Sequence, residues 1–451
     1  MTRGLRQSIL GEPGPRADPG GRVGPVRGSS TAGLAQEAWP TSRPIPPMVR
    51  RSLLFLVAAM PFEQIVLPVL PGSLNPVKIS LLFFLGLCFC YPKTCFHRPA
   101  PAVLWFSGYL AVFLVLGMFI PEELRGQLPG RLLTMALNVF IFWVGSSLLQ
   151  DIRLARQALF TFGAATAGLA VGIFLHLPGF AATAKEEAHS GHLKGRMIGA
   201  DVGPNYLAAL MAVAAIMLIG LLLDNTARTR ARAWLLACLT APLLLLLIKT
   251  GSRGGLVSFV LGASLFLIPL APSRRRFAGF ALGGFGLIAL VVMIARDPLA
   301  ADRLNQMITK GEVAGRDVIY PRAIQMVLER PILGWGPFVF LYELGARVGL
   351  TTRDPHNTLL WLLLEGGIVG TFFFVAGFRL CVRAAWKSRA GPEGILPLAL
   401  IVASVVKNFT GTGLAHKMLW LTLAIALASP VVSARWKRAV SAGDFRARGK
   451  L

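Results

Sequence analysis

Residues Pro204–Leu223 read PNYLAALMAVAAIMLIGLLL, a run without a single charged side chain. A stretch of this length and polarity can cross the hydrocarbon core of a bilayer as an α-helix. Similar apolar runs follow one another along the chain, and Phe277–Ala295 is another of this kind. Because lipid offers the backbone no hydrogen-bond partners, such continuous runs predict an all-α polytopic membrane protein.

The composition points the same way. Of 451 residues, 54% are hydrophobic and 15% are charged, whereas about a quarter of the residues in a soluble domain are charged. The five cysteines lie in or beside apolar runs and form no CxxC pair, which indicates core residues rather than disulfides or a metal site. About twelve spans are predicted: Ser52–Leu70, Val77–Tyr91, Pro101–Ile120, Arg131–Leu149, Leu154–Leu177, Pro204–Leu223, Trp234–Ile248, Gly254–Leu270, Phe277–Ala295, Asn357–Phe378, Ile395–Phe409 and Leu414–Val431.

These spans divide the chain into five parts. Residues 1–47 are rich in Gly, Pro and Arg and lack apolar periodicity, which predicts a disordered extension. Met48, followed by two arginines and an apolar run, resembles the natural start of a membrane protein. Residues 48–295 hold the first nine spans, 296–356 form a long outer loop, 357–431 hold the last three spans, and 432–451 form a basic tail.

The net charge of +25 reflects membrane topology, so no nucleic-acid partner is needed to explain it. With the N-terminus in the cytoplasm, most of the excess basic residues fall on inner segments, as the positive-inside rule expects. Both termini are then cytoplasmic, and two long loops, Pro178–Gly203 and Arg296–His356, face outward. The inner basic residues after the first span include Lys93, Arg98, Arg153, Arg156, Arg228, Arg230, Arg232, Arg274, Arg379, Arg383, Lys387, Arg389, Arg435, Lys437 and Arg438.

The second outer loop is expected to contain an amphipathic helix. The helix begins near Arg316, lies on the membrane surface and is stopped by Pro331. The following residues, ILGWGPF, indicate a turn punctuated by glycines. The apolar face predicted for this helix comprises Tyr320, Ile324, Val327 and Leu328.

Several basic residues stand at the outer surface. Arg253 lies between two apolar runs, Arg196 precedes a span, and Lys249 stands one helical turn before Arg253. Charges at such depth are costly and mark functional sites. For each arginine, Arg316 included, the alternative is an interfacial side chain that extends toward lipid phosphates.

His356 follows Asp354 and Pro355 at the start of an apolar run. A local interpretation makes Asp354 the helix N-cap and Pro355 the first helical residue, with His356 and Asn357 as polar residues of the first turn. Glu365 lies nine residues further on, about 180° around a straight helix. We therefore expect Glu365 to be a buried structural carboxylate rather than a partner of His356.

Outward-facing arginines and one histidine suit a pyrophosphate leaving group. Arginine binds phosphate oxygens in a fork, and a lipid diphosphate leaves without being protonated. A histidine can take the proton of an acceptor hydroxyl near neutral pH. These groups together suggest glycosyl transfer from a lipid-linked donor with inversion at the anomeric carbon.

Four segments carry a resemblance to a known family. In chain order they read GRMIGADVGPNYLAAL, GSRGG, AGRDVIYPRAIQMVLERPILGWGPFVF and PHNTLLWLLLEGGIVG. Their order, the number of spans and the long outer loop resemble the superfamily of O-antigen ligases and O-antigen polymerases. A departure is Tyr320, which stands where this family often has tryptophan.

The resemblance implies a GT-C-like glycosyltransferase of the bacterial inner membrane that needs no metal and no cofactor. Its donor would be a glycan on undecaprenyl diphosphate, and its acceptor a hydroxyl of lipid A core on the periplasmic side. His356 would activate the acceptor, while Arg253 and Arg316 would hold the diphosphate, with Arg196 assisting. Asn357, Asp354 and Lys249 would support the site.

Two other functions remain open. A polymerase would use the same donor and fold to extend the glycan on its lipid carrier. A flippase or transporter would bind a lipid diphosphate without chemistry, but such proteins usually carry internal repeats or charges within several spans. Here the charges concentrate at the outer ends of a few elements, which favours catalysis.

Overall fold

The computed structural model describes residues 45–64, 75–177, 180, 203–223, 229–268, 316–409, 411 and 413–441. Arg196, the predicted span Phe277–Ala295, most of the predicted N-terminal extension and the first part of the long outer loop lie outside these residues.

The described residues form helices and connecting turns, without a β-strand. The helices are α1 (Pro47–Ala59), α2 (Pro76–Cys90), α3 (Pro92–Cys95), α4 (Pro101–Gly117), α5 (Glu122–Arg125), α6 (Leu128–Leu148), α7 (Ile152–Phe174), α8 (Pro204–Leu223), α9 (Arg230–Lys249), α10 (Arg253–Ser264), α11 (Arg316–Glu329), α12 (Val339–Arg347), α13 (Thr358–Ser388), α14 (Leu396–Phe409) and α15 (Lys417–Ser441).

Six of the described helices are long and apolar enough to cross a membrane, namely α6, α7, α8, α9, α13 and α15. Shorter apolar helices are α2, α4, α14 and α10 with its 3₁₀ extension. The chain is therefore a multi-pass membrane protein, all-α in the residues that the structure describes. Each of these ten helices coincides with a predicted span, apart from differences at the ends.

Helix α8 is the centre of the bundle and packs against α7, α9, α10 and α14. It is buried over most of its length, which explains the uninterrupted apolar sequence. Small residues let its neighbours approach closely. A Cβ atom on Gly255 of α10 would lie 2.4 Å from the Cβ atom of Ala208, so only glycine fits at this crossing.

An aromatic cluster joins four other helices. The ring of Phe106 on α4 lies 5.1 Å from Phe142 on α6, 5.3 Å from Phe374 on α13 and 5.0 Å from Trp420 on α15, measured between ring centroids. All three contacts are edge-on, the geometry that aromatic pairs prefer. This cluster packs α13, the helix that begins beside His356, against α4, α6 and α15.

Two arginines at one end of the bundle bind neighbouring helices. Arg50 Nε donates a hydrogen bond of 2.8 Å to Gln157 Oε1, and Arg435 donates one of 3.2 Å to the carbonyl oxygen of Gln150. These residues belong to segments predicted to face inward. Helices α8, α10, α13 and α15 begin at the opposite end.

The ends of several helices differ from the prediction. Helix α1 ends at Ala59 and is followed by a 3₁₀ turn, Met60–Phe62, which interrupts the predicted first span; the predicted end of that span, Leu70, lies outside the described residues. Pro61 lies in this turn and has no N–H for a helical hydrogen bond. Helices α13 and α15 instead extend beyond their predicted ends, because their polar last turns continue the helix past the apolar run.

Helix α11 is described from Arg316, the first described residue of this segment, and ends at Glu329, before Pro331 as predicted. The predicted apolar face is divided, since Tyr320 and Val327 are partly buried against the core. Ile319, Ala323 and Met326 are the buried residues, and Ile324 and Leu328 are exposed. The sequence has apolar residues on two sides of this helix, and periodicity alone does not decide which side packs on the protein.

Candidate active site

His356 lies just before α13 in an unusual backbone conformation. Its φ is 51°, a left-handed value that is uncommon for residues other than glycine. Asp354 accepts a hydrogen bond from the backbone N–H of His356, and its Oδ1 lies 3.7 Å from His356 Nδ1. Asp354 therefore holds both the backbone and the ring of the histidine.

The predicted N-cap is wrong. Helix α13 begins at Thr358, and its N-cap is Asn357, whose Oδ1 accepts from the N–H groups of Leu359 at 2.9 Å and Leu360 at 3.2 Å. Asp354 binds the N–H of His356 instead, so His356 precedes the helix and is not part of its first turn. An aspartate and an asparagine can both cap a helix, and the sequence alone did not distinguish them.

Lys407 is a site residue that the sequence analysis missed. It lies near the end of α14, is 5% exposed, and interacts electrostatically with Asp354 and His356. Its Nζ is 5.9 Å from the centre of the Tyr206 ring. A signal was present in the sequence, because a lysine inside a predicted span marks a functional site by default.

The charges around His356 favour its neutral form. Burial lowers the pKa of His356 most, and the positive charges of Arg353, Arg316 and Lys407 lower it further, while Asp354 raises it. A histidine with a lowered pKa is neutral at physiological pH and can accept a proton. Arg316, half-buried at the start of α11, is therefore close enough to act electrostatically on His356.

The start of α13 is tied to the end of α14. Thr358 Oγ1 donates a hydrogen bond of 2.8 Å to Asn408 Oδ1, next to Lys407 in the chain. The hydroxyl of Tyr320 on α11 lies 3.5 Å from the carbonyl oxygen of Phe409. The segments that carry His356, Lys407 and Arg316 thus meet at one end of the bundle.

Arg253 is the first residue of α10 and is half-buried. The N-cap Ser252 accepts from the N–H of Gly255 and donates a hydrogen bond of 3.0 Å to Asn205 Oδ1. Asn205 precedes Tyr206, which contacts Lys407. These contacts place Arg253 at the same end of the bundle as His356.

Lys249 and Arg253 lie on either side of a turn, as expected from the two separate spans predicted here. It is exposed in the last turn of α9, and Arg253 opens the next helix. Between them the chain turns through Gly251, whose φ of 59° suits glycine. The two residues therefore belong to different helices.

Helix α13 is broken inside the apolar run. Gly367 has a φ of 60° and a ψ of −160°, so the helical hydrogen bonds around it cannot form. The turn after α11 supplies N–H groups to carbonyl oxygens of α13 in their place. The N–H of Trp335 donates to the carbonyl oxygen of Leu364 at 2.7 Å, and that of Gly336 donates to Glu365 at 3.1 Å.

On the other side of the break, N–H groups of α13 donate to carbonyl oxygens of the same turn. The N–H groups of Ile368 and Val369 donate to the carbonyl oxygens of Pro331 at 2.8 Å and Ile332 at 3.1 Å. Gly334 has a φ of 71°, which lets the turn lie flat against α13. The turn predicted from ILGWGPF is thus confirmed, and its four hydrogen bonds fasten it to the helix that begins beside His356.

Trp335 anchors this turn to α11. The Nε1–H group of Trp335 donates a hydrogen bond of 2.9 Å to the carbonyl oxygen of Met326. The guanidinium of Arg330 lies 4.2 Å from the centre of the Trp335 ring. Arg347 binds both carboxylate oxygens of Glu329, at 2.7 and 2.6 Å. Helix α11, with Arg316 at its start, is therefore held against α12 and α13.

Glu365 is buried on α13, and its carboxylate accepts a short hydrogen bond from the hydroxyl of Tyr109 on α4. It also interacts electrostatically with Arg131. The expectation that Glu365 is a buried structural carboxylate is confirmed.

Two comparisons with known proteins bear on this site. Residues 237–375 match the family model described as O-antigen ligase. An O-antigen ligase of Pseudomonas aeruginosa is 32% identical over 169 residues. The alignment covers 37% of this chain and 38% of that protein, so the chain spans well under half of its relative.

These matches confirm the resemblance to O-antigen ligases. The O-antigen ligase match begins in α9 and ends in α13. It therefore includes Arg253, Arg316 and His356, whereas Lys407 lies beyond it.

A second polar cluster missed by the sequence analysis adjoins Lys407. The ring of His416 lies 4.0 Å from the ring of Tyr206, and its Nδ1 is 3.8 Å from a carboxylate oxygen of Glu63. Glu63 also pairs with Lys417 at the start of α15. Among the described residues, no group of three His, Cys, Asp or Glu side chains gathers as a metal site, and metal independence stays a prediction.

Proposed function

We propose that this protein is a metal-independent membrane glycosyltransferase. It moves a glycan from undecaprenyl diphosphate to a hydroxyl of an acceptor, for which lipid A core fits the O-antigen ligase match best. The observation that carries this proposal is a histidine with a lowered pKa beside a buried lysine and an arginine, at one end of a bundle of apolar helices.

His356 accepts the proton of the acceptor hydroxyl as that oxygen attacks the anomeric carbon of the donor sugar. The bond between this carbon and the diphosphate oxygen breaks, and the oxygen leaves with the electron pair. Arg316, Lys407 and Arg253 stabilise the negative charge of the leaving diphosphate, with Arg196 assisting. Attack from the side opposite the leaving group inverts the configuration of the sugar.

The proposal includes the setting of the enzyme. About twelve spans in a GT-C-like arrangement lie in the bacterial inner membrane, with both termini in the cytoplasm. The end of the bundle that carries His356 faces the periplasm. This orientation is supported by the basic residues at the opposite end, which include Arg50 and Arg435.

The test uses purified protein in lipid nanodiscs with an undecaprenyl-diphosphate-linked glycan and lipid A core. We expect transfer that survives a chelator and is lost in His356→Ala. His176→Ala is the matched control, because His176 is an exposed histidine that also has a positive φ, 49°, and we expect it to keep full activity.

Three outcomes would change the proposal. Longer glycans on the carrier, without transfer to lipid A core, would identify a polymerase. Binding of the donor without transfer to either acceptor would support a flippase or transporter. Full activity of His356→Ala would remove His356 from the mechanism.

A further inference from the structure

The ring of Tyr206, in the first turn of α8, contacts two basic side chains at the end of the bundle that carries His356. The Nζ atom of Lys407 lies 5.9 Å from the centre of this ring, a distance at which the face of an aromatic ring attracts an ammonium group. The ring of His416 lies 4.0 Å from it, centre to centre, with a tilt of 31°. Tyr206 is 8% exposed, so its ring is a buried contact surface for both side chains.

The hydroxyl of Tyr206 takes no part in these contacts. Among the described residues, this buried hydroxyl has no hydrogen-bond partner. The attraction for Lys407 and the packing on His416 both come from the ring, which a phenylalanine would also provide. The ring is therefore the part of Tyr206 that acts on Lys407.

A carboxylate from another part of the chain holds His416 in place. Glu63 follows the 3₁₀ turn after α1, and one of its oxygens lies 3.8 Å from His416 Nδ1. The same carboxylate pairs with Lys417. Burial raises the pKa of Glu63, but the hydrogen bonds and charges of His416 and Lys417 bring it below its usual value. Glu63 is therefore ionised at neutral pH and fixes the ring that stacks on Tyr206.

The loop between α14 and α15 also lies close to Lys407. A Cβ atom on Gly413 would lie 3.3 Å from Lys407 Nζ, and one on Gly411 would lie 3.8 Å from it. Lys407 also interacts electrostatically with Asp354, which binds the backbone N–H of His356. The ammonium group thus lies between this loop and the segment that precedes α13.

We propose that Tyr206 is a positioning residue for Lys407, an inference that rests on the function proposed above. The face of its ring keeps the ammonium group near His356 and near the diphosphate of the donor. A lysine side chain is a flexible stem with a point charge at its end, so without the ring the ammonium group would take other positions. Tyr206 therefore acts on the reaction through Lys407 and does not touch the substrate.

The test measures the pKa of His356 directly. Protein with isotope-labelled histidine is titrated by NMR in lipid nanodiscs, and the signal that is missing in His356→Ala is assigned to His356. The charged groups that act on this imidazole are Asp354, Arg353, Arg316 and Lys407. Because the loss of a nearby positive charge raises the pKa of a histidine, we expect removal of the Tyr206 ring to raise it, but no further than Lys407→Met does.

The ring is removed in two variants, Tyr206→Leu and Tyr206→Met, so that the test does not depend on the folding of one of them. Tyr206→Phe retains the ring and should restore the wild-type pKa of His356. Phe162→Leu is the control for lost packing, because Phe162 is a fully buried ring in the middle of α7; it should leave this pKa unchanged. Combining Tyr206→Leu with Lys407→Met should give the pKa of Lys407→Met alone.

The titration requires no transfer, so it separates this proposal from the proposed function. If the pKa of His356 rises as expected but no transfer occurs, the positioning role stands and the catalytic proposal fails. If transfer occurs and both ring-removing variants have the wild-type pKa, the positioning role fails alone. A raised pKa in Tyr206→Phe, or an equal rise in Phe162→Leu, would also overturn it.

Discussion

The break in α13 provides a sharp prediction, because two adjacent glycines play different parts in it. We expect Gly367→Ala to destabilise the protein and reduce transfer, whereas Gly366→Ala should do neither. A Cβ atom on Gly367 would lie 2.2 Å from the carbonyl oxygen of Ile332 and 2.6 Å from the backbone nitrogen of Gly334. Backbone atoms cannot move aside as a flexible side chain can, so the turn must leave α13.

The expected loss of stability in Gly367→Ala follows from the backbone strain that is added and the hydrogen bonds that are removed. A side chain in this region of φ and ψ costs about 1–3 kcal/mol. Each of the four hydrogen bonds between the turn and α13 contributes about 0.5–1.5 kcal/mol. We therefore expect the free energy of unfolding to fall by about 3 kcal/mol or more in Gly367→Ala.

The control variant, Gly366→Ala, changes the neighbouring glycine. Gly366 keeps a helical conformation, and a Cβ atom there would lie 3.9 Å from the side chain of Val112, an ordinary contact. Gly366→Ala is therefore expected to be neutral or to stabilise the helix by about 0.5–1 kcal/mol.

The assay is thermal unfolding in detergent, followed by transfer at a temperature where both variants are folded. Gly367→Ala should unfold at a lower temperature and lose transfer, because Arg316 is no longer held near His356 by the docked turn. If the two variants had the same midpoint and the same rate, the docked turn would not support the site.

Other predictions concern single side chains. Burial and nearby cations lower the pKa of His356. Because Lys407→Met removes one of these cations, it should raise this pKa and move the acid limb of the pH–rate profile to higher pH. An unchanged acid limb would contradict the role of Lys407. Arg253→Lys should weaken donor binding, as measured by titration, because an ammonium cannot reproduce the guanidinium fork; an unchanged affinity would remove Arg253 from the donor site. Ser252→Ala should lower the unfolding midpoint by removing a helix cap worth about 0.5–2 kcal/mol, whereas Ser264→Ala at the other end of α10 should not; equal midpoints would contradict the capping role.

Much of the fold could be predicted from the sequence, because an apolar run of about 20 residues has few structures open to it in lipid. Pro204–Leu223, which forms one helix over the whole predicted span, shows this most clearly. Helix ends were less predictable. Pro61 ends a helix inside an apolar stretch, and Asn357 rather than Asp354 caps α13, since neighbouring polar residues compete for the same position.

The candidate site was predictable only in part. His356 stood out at the start of an apolar run and Arg316 at the start of the amphipathic helix, and the family resemblance supplied their expected roles. The structure brings the two residues together. Lys407 was missed although a lysine inside a predicted span is itself a signal, and its electrostatic interaction with Asp354 joins positions distant in sequence. His416 was missed because Tyr206, whose ring lies 4.0 Å from its own, is also distant in sequence. The break at Gly367 was missed as well, because a glycine within an apolar run is common in membrane helices.

The most direct test of the central claim separates donor binding from transfer in one variant. Purified wild-type protein and His356→Ala are loaded with the undecaprenyl-diphosphate-linked glycan, and transfer is started by adding the acceptor. We predict equal affinity for the donor and a single-turnover rate lowered by about 10²-fold or more in the variant, as expected when a general base is removed. An unchanged single-turnover rate would contradict the account.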